Sequence, residues 1–145
     1  MEKITQYLLT LSILILLCSG CQKEPIAPEI EGHWRLTSIT TDGATQSCSD
    51  LFYSISLQVV EVSCKPAKPG YGTYIGLIEY PSGNTLRMKD FRQRSGTADN
   101  GIPASIEALL PYGIHATDTE FIIAKKGGNS LILQSDYATL HLEKF

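Results

Sequence analysis

Two of the four cysteines stand three residues apart near the amino terminus, where a thiol could carry redox or lipid chemistry. A redox pair at Cys18 and Cys21 needs a folded βαβ context, whereas this pair ends an apolar leader. Ser19 and Gly20 place small side chains directly before Cys21, as cleavage at that cysteine requires, while bulky Leu17 precedes Cys18. The motif therefore predicts that Cys21 is lipid-modified and becomes the first residue of the mature chain.

The leader is too short to be a stable membrane span. Its apolar part covers the eleven residues 7–17 behind Lys3, whereas a spanning helix needs about 20. We therefore expect a lipoprotein signal peptide at residues 1–20, with a secretory signal without lipid as the alternative. Acyl chains such as palmitate on Cys21 would anchor the protein in the bacterial cell envelope. Gln22 is not the Asp of an inner-membrane retention signal, which favours the outer membrane and leaves the leaflet open.

Residues 22–31 carry two prolines and four charged residues without helical or strand periodicity. Such a composition is typical of an extended, flexible tether. The sequence therefore divides into the signal peptide at 1–20, the lipidated cysteine and tether at 21–31, and one domain at 32–145. A mature chain of about 125 residues is long enough for one hydrophobic core.

The other two cysteines, Cys48 and Cys64, would meet an oxidising compartment outside the cytoplasm, where a disulfide can form. If residues 52–62 form one unbroken strand, the two cysteines lie roughly 40 Å apart, at ~3.3 Å per residue. A disulfide needs Cα atoms within about 7 Å. An intrachain bond would therefore require that strand to be bent or shorter.

The remaining polar residues do not form a recognisable catalytic motif. His33, His115 and His141 lack the local spacing of metal ligands, so we interpret them as surface residues, although distant strands can assemble a three-histidine zinc site. The sequence has no Gly-x-Ser-x-Gly elbow and no glycine-rich phosphate loop. The net charge of −3 argues against a nucleic-acid partner, which needs a basic surface. We therefore expect a protein that is not an enzyme and that uses no cofactor or metal.

Four positive charges, at Arg87, Lys89, Arg92 and Arg94, fall within eight residues. They could form a patch for an anionic ligand, a glycan or a lipid headgroup. A charged strand edge that deters pairing with other chains explains them as well, and we favour that interpretation.

From residue 32 onward, apolar and polar residues mostly alternate, which is typical of half-buried strands. Asp42-Gly43 is a turn signal, but the small polar residues at 44–50 predict that it opens a longer loop. Residues 92–101 are polar and predicted to be irregular. A short helix is predicted at 102–110, with Pro103 in its first turn. The predicted strands lie at residues 34–41, 52–62, 72–80, 85–91, 120–125, 131–134 and 138–144.

This pattern predicts an all-β, mainly antiparallel domain with one short helix. Closing the sheet would remove its exposed edges, and a small meander of this size commonly closes as an up-and-down β-barrel. A two-sheet β-sandwich is the alternative, because strand periodicity is the same in both.

The domain resembles the lipocalin-like domains of bacterial lipoproteins. The resemblance covers residues 32–145 and rests on Gly32-His33-Trp34-Arg35-Leu36, Asp42-Gly43, Tyr53-Ser54-Ile55-Ser56-Leu57, Thr85-Leu86, Asp90-Phe91, Leu110-Pro111-Tyr112-Gly113-Ile114 and residues 131–145. In true lipocalins, Gly-x-Trp begins the first strand and a basic residue of the last strand covers the Trp. The resemblance therefore implies a barrel in which Lys144 has that role.

The apolar residues predicted to point inward either fill the core of the barrel or line one small cavity. The candidate ligand-binding residues are Trp34, Leu36, Ile55, Leu57, Leu86, Met88 and Leu140. Their character predicts a small apolar ligand. The alternative is a barrel with a filled core whose outer face contacts a protein or glycan partner.

Overall fold

The computed structural model describes residues 1–7 and 26–145. Residues 2–7 are helical, and no helix within the described residues is both long enough and apolar enough to cross a membrane. Cys18 and Cys21, and hence the predicted lipidation site, lie outside the described residues.

The domain consists of nine strands and one helical segment. In chain order these are β1 (Gly32–Thr41), β2 (Ala44–Ser56), β3 (Val59–Cys64), β4 (Tyr74–Ser82), β5 (Thr85–Ser95), β6 (Ala98–Pro103), α1 (Ile106–Leu109), a 3₁₀ turn (Leu110–Tyr112), β7 (Asp118–Lys125), β8 (Ser130–Gln134) and β9 (Thr139–Lys144).

Eight of these strands close into an antiparallel barrel. The sheet runs β4-β3-β2-β1-β9-β8-β7-β5, and the pairing of β4 with β5 joins its two ends. Strand β6 pairs with the far half of β5, beyond the point where β7 leaves it. The predicted up-and-down barrel with one short helix is confirmed, and the sandwich alternative is wrong.

The first hairpin is tighter than predicted. Thr41 pairs with Ala44, so Asp42 and Gly43 alone form the turn, and both have positive φ angles, 50° and 75°. Two consecutive residues with positive φ match the twist of a two-residue hairpin. The loop predicted at residues 44–50 is therefore wrong, because this polar stretch is the exposed first half of β2.

The single strand predicted at residues 52–62 is also wrong, because the chain reverses in its middle. Leu57 has a φ of 54°, and Ser56 pairs with Val59 across the turn. Val59, which unbroken alternation over residues 52–62 would place inward with Ile55, is 44% exposed. The alternation of apolar residues continues through the turn, which conceals it in the sequence.

The irregular segment predicted at residues 92–101 is an extension of the sheet. β5 continues to Ser95 and returns as β6, which is exposed along its whole length. The helix is correspondingly shorter than predicted, because Ile102 and Pro103 belong to β6. Ser105 caps α1 by accepting a hydrogen bond from the Ala108 amide, at 3.3 Å.

The two ends of the barrel are closed by different parts of the chain. The helix end carries α1, the 3₁₀ turn and the β1–β2 and β8–β9 connections, and its Leu109, Tyr112 and Ile114 are fully buried. The turn end carries the β2–β3, β4–β5 and β7–β8 connections and the start of β1. A turn at residues 27–31, here the N-terminal turn, covers it through buried Ile30. The core lies between these two closures.

Candidate ligand-binding site at the turn end

The N-terminal turn is folded onto the barrel. The amides of Ile30 and Glu31 both donate to the Ala27 carbonyl at 2.9 Å, and the Ile30 side chain is 2% exposed. Burial of an Ile side chain is worth roughly 1.5–3 kcal/mol. The flexible tether predicted at residues 22–31 therefore does not include the N-terminal turn.

The carboxylate of Glu31 joins the N-terminal turn to the β2–β3 turn. One oxygen accepts a hydrogen bond from the Ala27 amide at 3.0 Å, and the other accepts one from the Leu57 amide at 2.5 Å. Hydrogen bonds to a charged group contribute about 1.5–3 kcal/mol each. Glu31 thereby holds two connections of the turn end in one arrangement.

Trp34 ties the N-terminal turn to the core. Its side chain is fully buried, and its Nε1 donates to the Ile30 carbonyl at 2.7 Å. Lys144 Nζ lies 4.6 Å from the centroid of the indole ring and donates to the Glu31 carbonyl at 2.9 Å. A Cβ at residue 32 would overlap Lys144, so Gly32 leaves the space that this side chain occupies. The basic residue expected over Trp34 is confirmed as Lys144.

A cleft of about 340 Å³ lies beside the N-terminal turn, and we call it the end cleft. Lys126 bounds it, since its Nζ donates to the Gly83 carbonyl at 3.2 Å and lies 3.6 Å from a Glu29 carboxylate oxygen. Most of the other lining side chains are apolar. The lining residues are Ile26, Ala27, Pro28, Glu29, Ile30, Tyr80, Ser82, Gly83, Ile123 and Lys126.

Tyr80 supplies the unusual polar group of the end cleft. Its hydroxyl is buried and has no hydrogen-bond partner among the described residues. Burial, followed by the negative charge of Glu31, raises the pKa of Tyr80 to about 12. Buried hydroxyls are normally hydrogen-bonded, so this lining residue lacks a partner that a bound molecule could supply.

The residues predicted to bind ligand lie mainly in the barrel core. Six of them are at most 2% exposed. These six belong to one hydrophobic core together with the other buried apolar side chains. The exception is Leu57, which is only partly buried in the β2–β3 turn, so its predicted inward position is wrong. The six are Trp34, Leu36, Ile55, Leu86, Met88 and Leu140. None of the seven lines the end cleft, and the interior around the six is filled by large side chains.

The helix end is closed by a pair of buried tyrosines. The Tyr53 hydroxyl donates to the Tyr112 carbonyl at 2.5 Å, and the Tyr112 hydroxyl donates to the Gly72 carbonyl at 2.5 Å. Burial raises the pKa of both tyrosines, and electrostatic interaction adds to the effect, with Tyr112 in the case of Tyr53 and with Cys64 in the case of Tyr112. Unlike Tyr80, both hydroxyls have protein partners, so they stabilise the closure of this end.

A family model described as a lipocalin-like domain matches residues 15–145. The chain belongs to this lipocalin-like family. A lipocalin-like protein from Bacteroides uniformis is similar in structure, with a TM-score of 0.61, 18% identity, and coverage of 81% of this chain and 99% of that one. An uncharacterized protein from Bacteroides eggerthii has a TM-score of 0.58, 12% identity, and coverage of 79% and 98%. No curated protein matches the chain. At these identities the two structures establish the fold of this lipocalin-like domain.

The two described cysteines of this lipocalin-like domain line a common pocket near the helix end, of about 150 Å³. The hairpin places Leu51 opposite Cys64, so Cys48 and Cys64 are not at opposite ends of one long strand. Both thiols are free, and burial raises the pKa of Cys48. A disulfide between them stays a prediction. The chain reversal that such a bond would require is present between β2 and β3.

The four basic residues of β5 each face an acidic partner. Arg87 pairs with Asp118 at 2.5 Å, Lys89 with Glu79 at 2.6 Å, Arg94 with Glu61 at 2.6 Å and Arg92 with Asp99 at 3.9 Å. All are at least partly exposed, where such pairs contribute about 0–1 kcal/mol each. The arrangement matches the charged strand face favoured from the sequence, and its positive charge is largely compensated locally.

The histidines are separated in this fold. His33 is exposed and its Nδ1 bonds the Ser54 hydroxyl at 2.5 Å, whereas His141 is partly buried on β9. His115 stacks on Tyr137 with 4.6 Å between ring centroids. Within residues 1–7 and 26–145, no three or more His, Cys, Asp or Glu side chains form a group suited to a metal ion.

Proposed function

We propose that this protein is a lipid-anchored binding module of the bacterial cell envelope that holds a small apolar ligand in the end cleft. The cleavage motif around Cys21 supports the anchor. Cys21 is the proposed acylated cysteine, because bulky Leu17 directly before Cys18 does not suit cleavage at Cys18. Membership of the lipocalin-like family supports binding in preference to catalysis. The outer membrane is the proposed location because Gln22 is not a retention signal.

The observation that carries the binding proposal is the combination of apolar walls and one unpaired hydroxyl in the end cleft. Its volume of about 340 Å³ falls in the range of roughly 300–1,000 Å³ that is usual for small-molecule sites. Ile30 and Ile123 supply apolar contact, while Tyr80 can donate a hydrogen bond. These features favour a small, mainly apolar ligand that carries one polar group. Because the interior is filled, we place the proposed site at this end and not at the barrel centre, where the sequence predicted it.

The end cleft can be tested with a fluorescent fatty acid, 11-(dansylamino)undecanoic acid. Tyr80→Phe should weaken its binding about tenfold, because one hydrogen bond of about 1.4 kcal/mol corresponds to that factor. Ser82→Trp, which adds a large side chain to the cleft lining at an exposed position, should weaken binding further. Tyr137→Phe is the matched control, because Tyr137 lies at the helix end and is 38% exposed. Equal affinity in the wild type, Tyr80→Phe and Ser82→Trp would rule out this site.

A second candidate function is contact with a protein or glycan partner through the outer face of the barrel. The filled interior favours it, since such a protein needs no cavity. Replacing Arg87 and Lys89 by Gln removes positive charge from β5 while leaving the core unchanged. If this candidate is correct, purified envelope glycans or proteins retained by the wild type should be lost from the double variant. Retention of the same set would exclude this face.

A further inference from the structure

The short connection between the lipid and the barrel restricts how the domain sits on a membrane. This step rests on the proposed lipidation of Cys21. Only residues 22–25 separate Cys21 from Ile26, where the described part of the domain begins. Five residue steps span at most about 18 Å when fully extended. Ile26, directly before the N-terminal turn, therefore stays within about 18 Å of the lipidated residue.

The N-terminal turn is fixed to the turn end of the barrel. A short connection from Cys21 to this turn therefore also limits the distance between the anchor and the turn end. Ile30 is buried, and Glu31 and Trp34 bond the turn to two further elements. A folded turn cannot extend like a free linker. The ten residues of β1, tilted as in other barrels, give a height of about 25 Å. When the barrel stands upright, the helix end lies about 25 Å from the turn end. The connection of at most about 18 Å is too short to place the helix end at the anchor.

Exposed apolar side chains occur at both ends of the barrel. Ile26 is 51% exposed and Phe145 is 76% exposed at the turn end, whereas Ile106 and Leu110 are 42% and 39% exposed at the helix end. Apolar exposure alone therefore does not select the end that meets the bilayer. The short connection to Cys21 selects the turn end as the end that meets the bilayer. Ile26 and Phe145 at this end would then contact lipid.

We propose that the turn end lies against the bilayer and that the end cleft receives an acyl chain from it. The cleft is beside the N-terminal turn, so its apolar walls at Ile26, Ile30 and Ile123 lie on the membrane side of the domain. An acyl chain leaving the bilayer meets these walls without crossing water. The Lys126 ammonium group bounds the cleft and can meet the polar head, and the buried Tyr80 hydroxyl of the lining lacks a partner among the described residues. This identifies the ligand class of the proposed site as a membrane lipid or its fatty acid.

The orientation can be measured with a fluorescent label at either end of one strand. Asn129 precedes β8 at the turn end, and Asp136 follows β8 at the helix end. Each is replaced by Cys and labelled in the full-length lipidated protein, with Cys48 and Cys64 changed to Ser. The protein is placed in phosphatidylcholine vesicles that carry nitroxide headgroups. Quenching should be several-fold stronger for the label at 129. Equal quenching, or stronger quenching at 136, would overturn the proposed orientation.

A separate measurement distinguishes failure of this orientation from failure of the anchor. Intact mass shows whether Cys21 carries acyl chains, and flotation with vesicles shows whether the protein is bound. An unmodified, unbound wild type contradicts the anchor itself. An acylated, bound protein with equal quenching at 129 and 136 contradicts the orientation alone. Cys21→Ser is the matched control and should lose quenching at both labels.

The acyl-chain ligand has its own test, with a photoactivatable palmitoyl chain on phosphatidylcholine in the same vesicles. After illumination, cross-links should map to residues 26–30 and 123 and should decrease several-fold in Ser82→Trp, which adds a large side chain at an exposed position of the cleft lining. The label at 129 in that variant should be quenched as in the wild type, because the orientation does not depend on the cleft. Cross-links confined to other surfaces, or unchanged in Ser82→Trp, would overturn the assignment of the ligand.

Discussion

The side chain of Lys144 joins β9 to β1 and to the N-terminal turn. It covers the Trp34 ring and bonds the Glu31 carbonyl, and Gly32 leaves room for it. A cation over an indole contributes about 0.5–1 kcal/mol at a partly exposed site. The expected Gly-x-Trp pattern thus has a physical basis here, because any larger residue at position 32 would displace the cation.

Lys144→Met should lower the free energy of unfolding by about 1–2 kcal/mol, because it keeps the apolar stem but removes the charge and the hydrogen bond. Lys144→Arg should remain close to the wild type, since guanidinium can also cover an indole and donate to a carbonyl. Urea denaturation at pH 7 measures both. A Met variant as stable as the wild type would show that the cation does not contribute.

Tyr80 should make the stability of the protein sensitive to alkaline pH. Its pKa rises from 10.0 to about 12 on folding, so the folded state keeps a proton that the unfolded state loses. The resulting stabilisation is fully present below pH 10 and is lost as the pH rises toward 12. The fall in urea midpoint between pH 9 and pH 11 should therefore be smaller in Tyr80→Phe than in the wild type. The exposed control Tyr137→Phe should retain the full fall, and an equal fall in all three proteins would contradict the assignment.

At the scale of elements, most strands inside the barrel could be predicted, whereas the β2–β3 and β5–β6 connections could not. β4, β7, β8 and β9 bury alternate residues, and this period is visible in the sequence. The β2–β3 reversal has no Gly, Pro, Asn or Asp in its turn, where Leu57 takes a positive φ. The β5–β6 extension is polar on both faces because it leaves the barrel, and polarity on both faces suggests a loop.

The closure of the helix end depends on one glycine. Gly113 ends the 3₁₀ turn with a φ of 80°, and a Cβ there would overlap the Leu140 side chain. Gly101 has a φ of 76° with no atom within 4 Å of its Cβ position, so it is a matched control for backbone strain alone. Gly101→Ala should cost about 1 kcal/mol of unfolding free energy, and Gly113→Ala roughly 1–3 kcal/mol more, because overpacking adds to strain.

Thermal and urea denaturation of the two glycine variants give this difference directly. Near-ultraviolet circular dichroism should change only in Gly113→Ala, because the buried Tyr112 is its neighbour. If both variants lose the same free energy of unfolding, Leu140 moves aside without an energetic cost. The close packing of Leu140 against Gly113 would then not stabilise this end.

For the molecule as a whole, the sequence predicted the barrel and its core but not the candidate site. Inward periodicity identifies buried residues, and it does not distinguish residues that fill a core from residues that line a cavity. The end cleft is built instead from the N-terminal turn and residues such as Tyr80, Gly83 and Lys126, which are distant in the chain. The one local signal was apolar Ile26 and Ile30 within an otherwise polar segment, four residues apart as in a helical turn.

The boundary of the folded domain therefore differs from the predicted start at residue 32. A fragment of residues 26–145 keeps Ile30 in the core and keeps the Ile30 carbonyl as acceptor for Trp34. A fragment of residues 32–145 loses both, and it should be less stable by roughly 3–5 kcal/mol, from the lost packing of one Ile and one lost indole hydrogen bond. Ile30→Ala in the longer fragment should account for roughly 2–4 kcal/mol of this loss.

Trp34 is the single tryptophan of the chain, so its fluorescence reports on the same boundary. In the longer fragment the ring is fully buried. In the shorter fragment the indole N–H meets water, so the emission maximum should shift to the red while circular dichroism still shows strands. The Ile30→Ala variant should keep most of the blue-shifted emission, because the Ile30 carbonyl remains in place. Equal stability and equal emission in the two fragments would mean that the N-terminal turn only rests on the barrel, and the rigid connection between anchor and domain would then be lost.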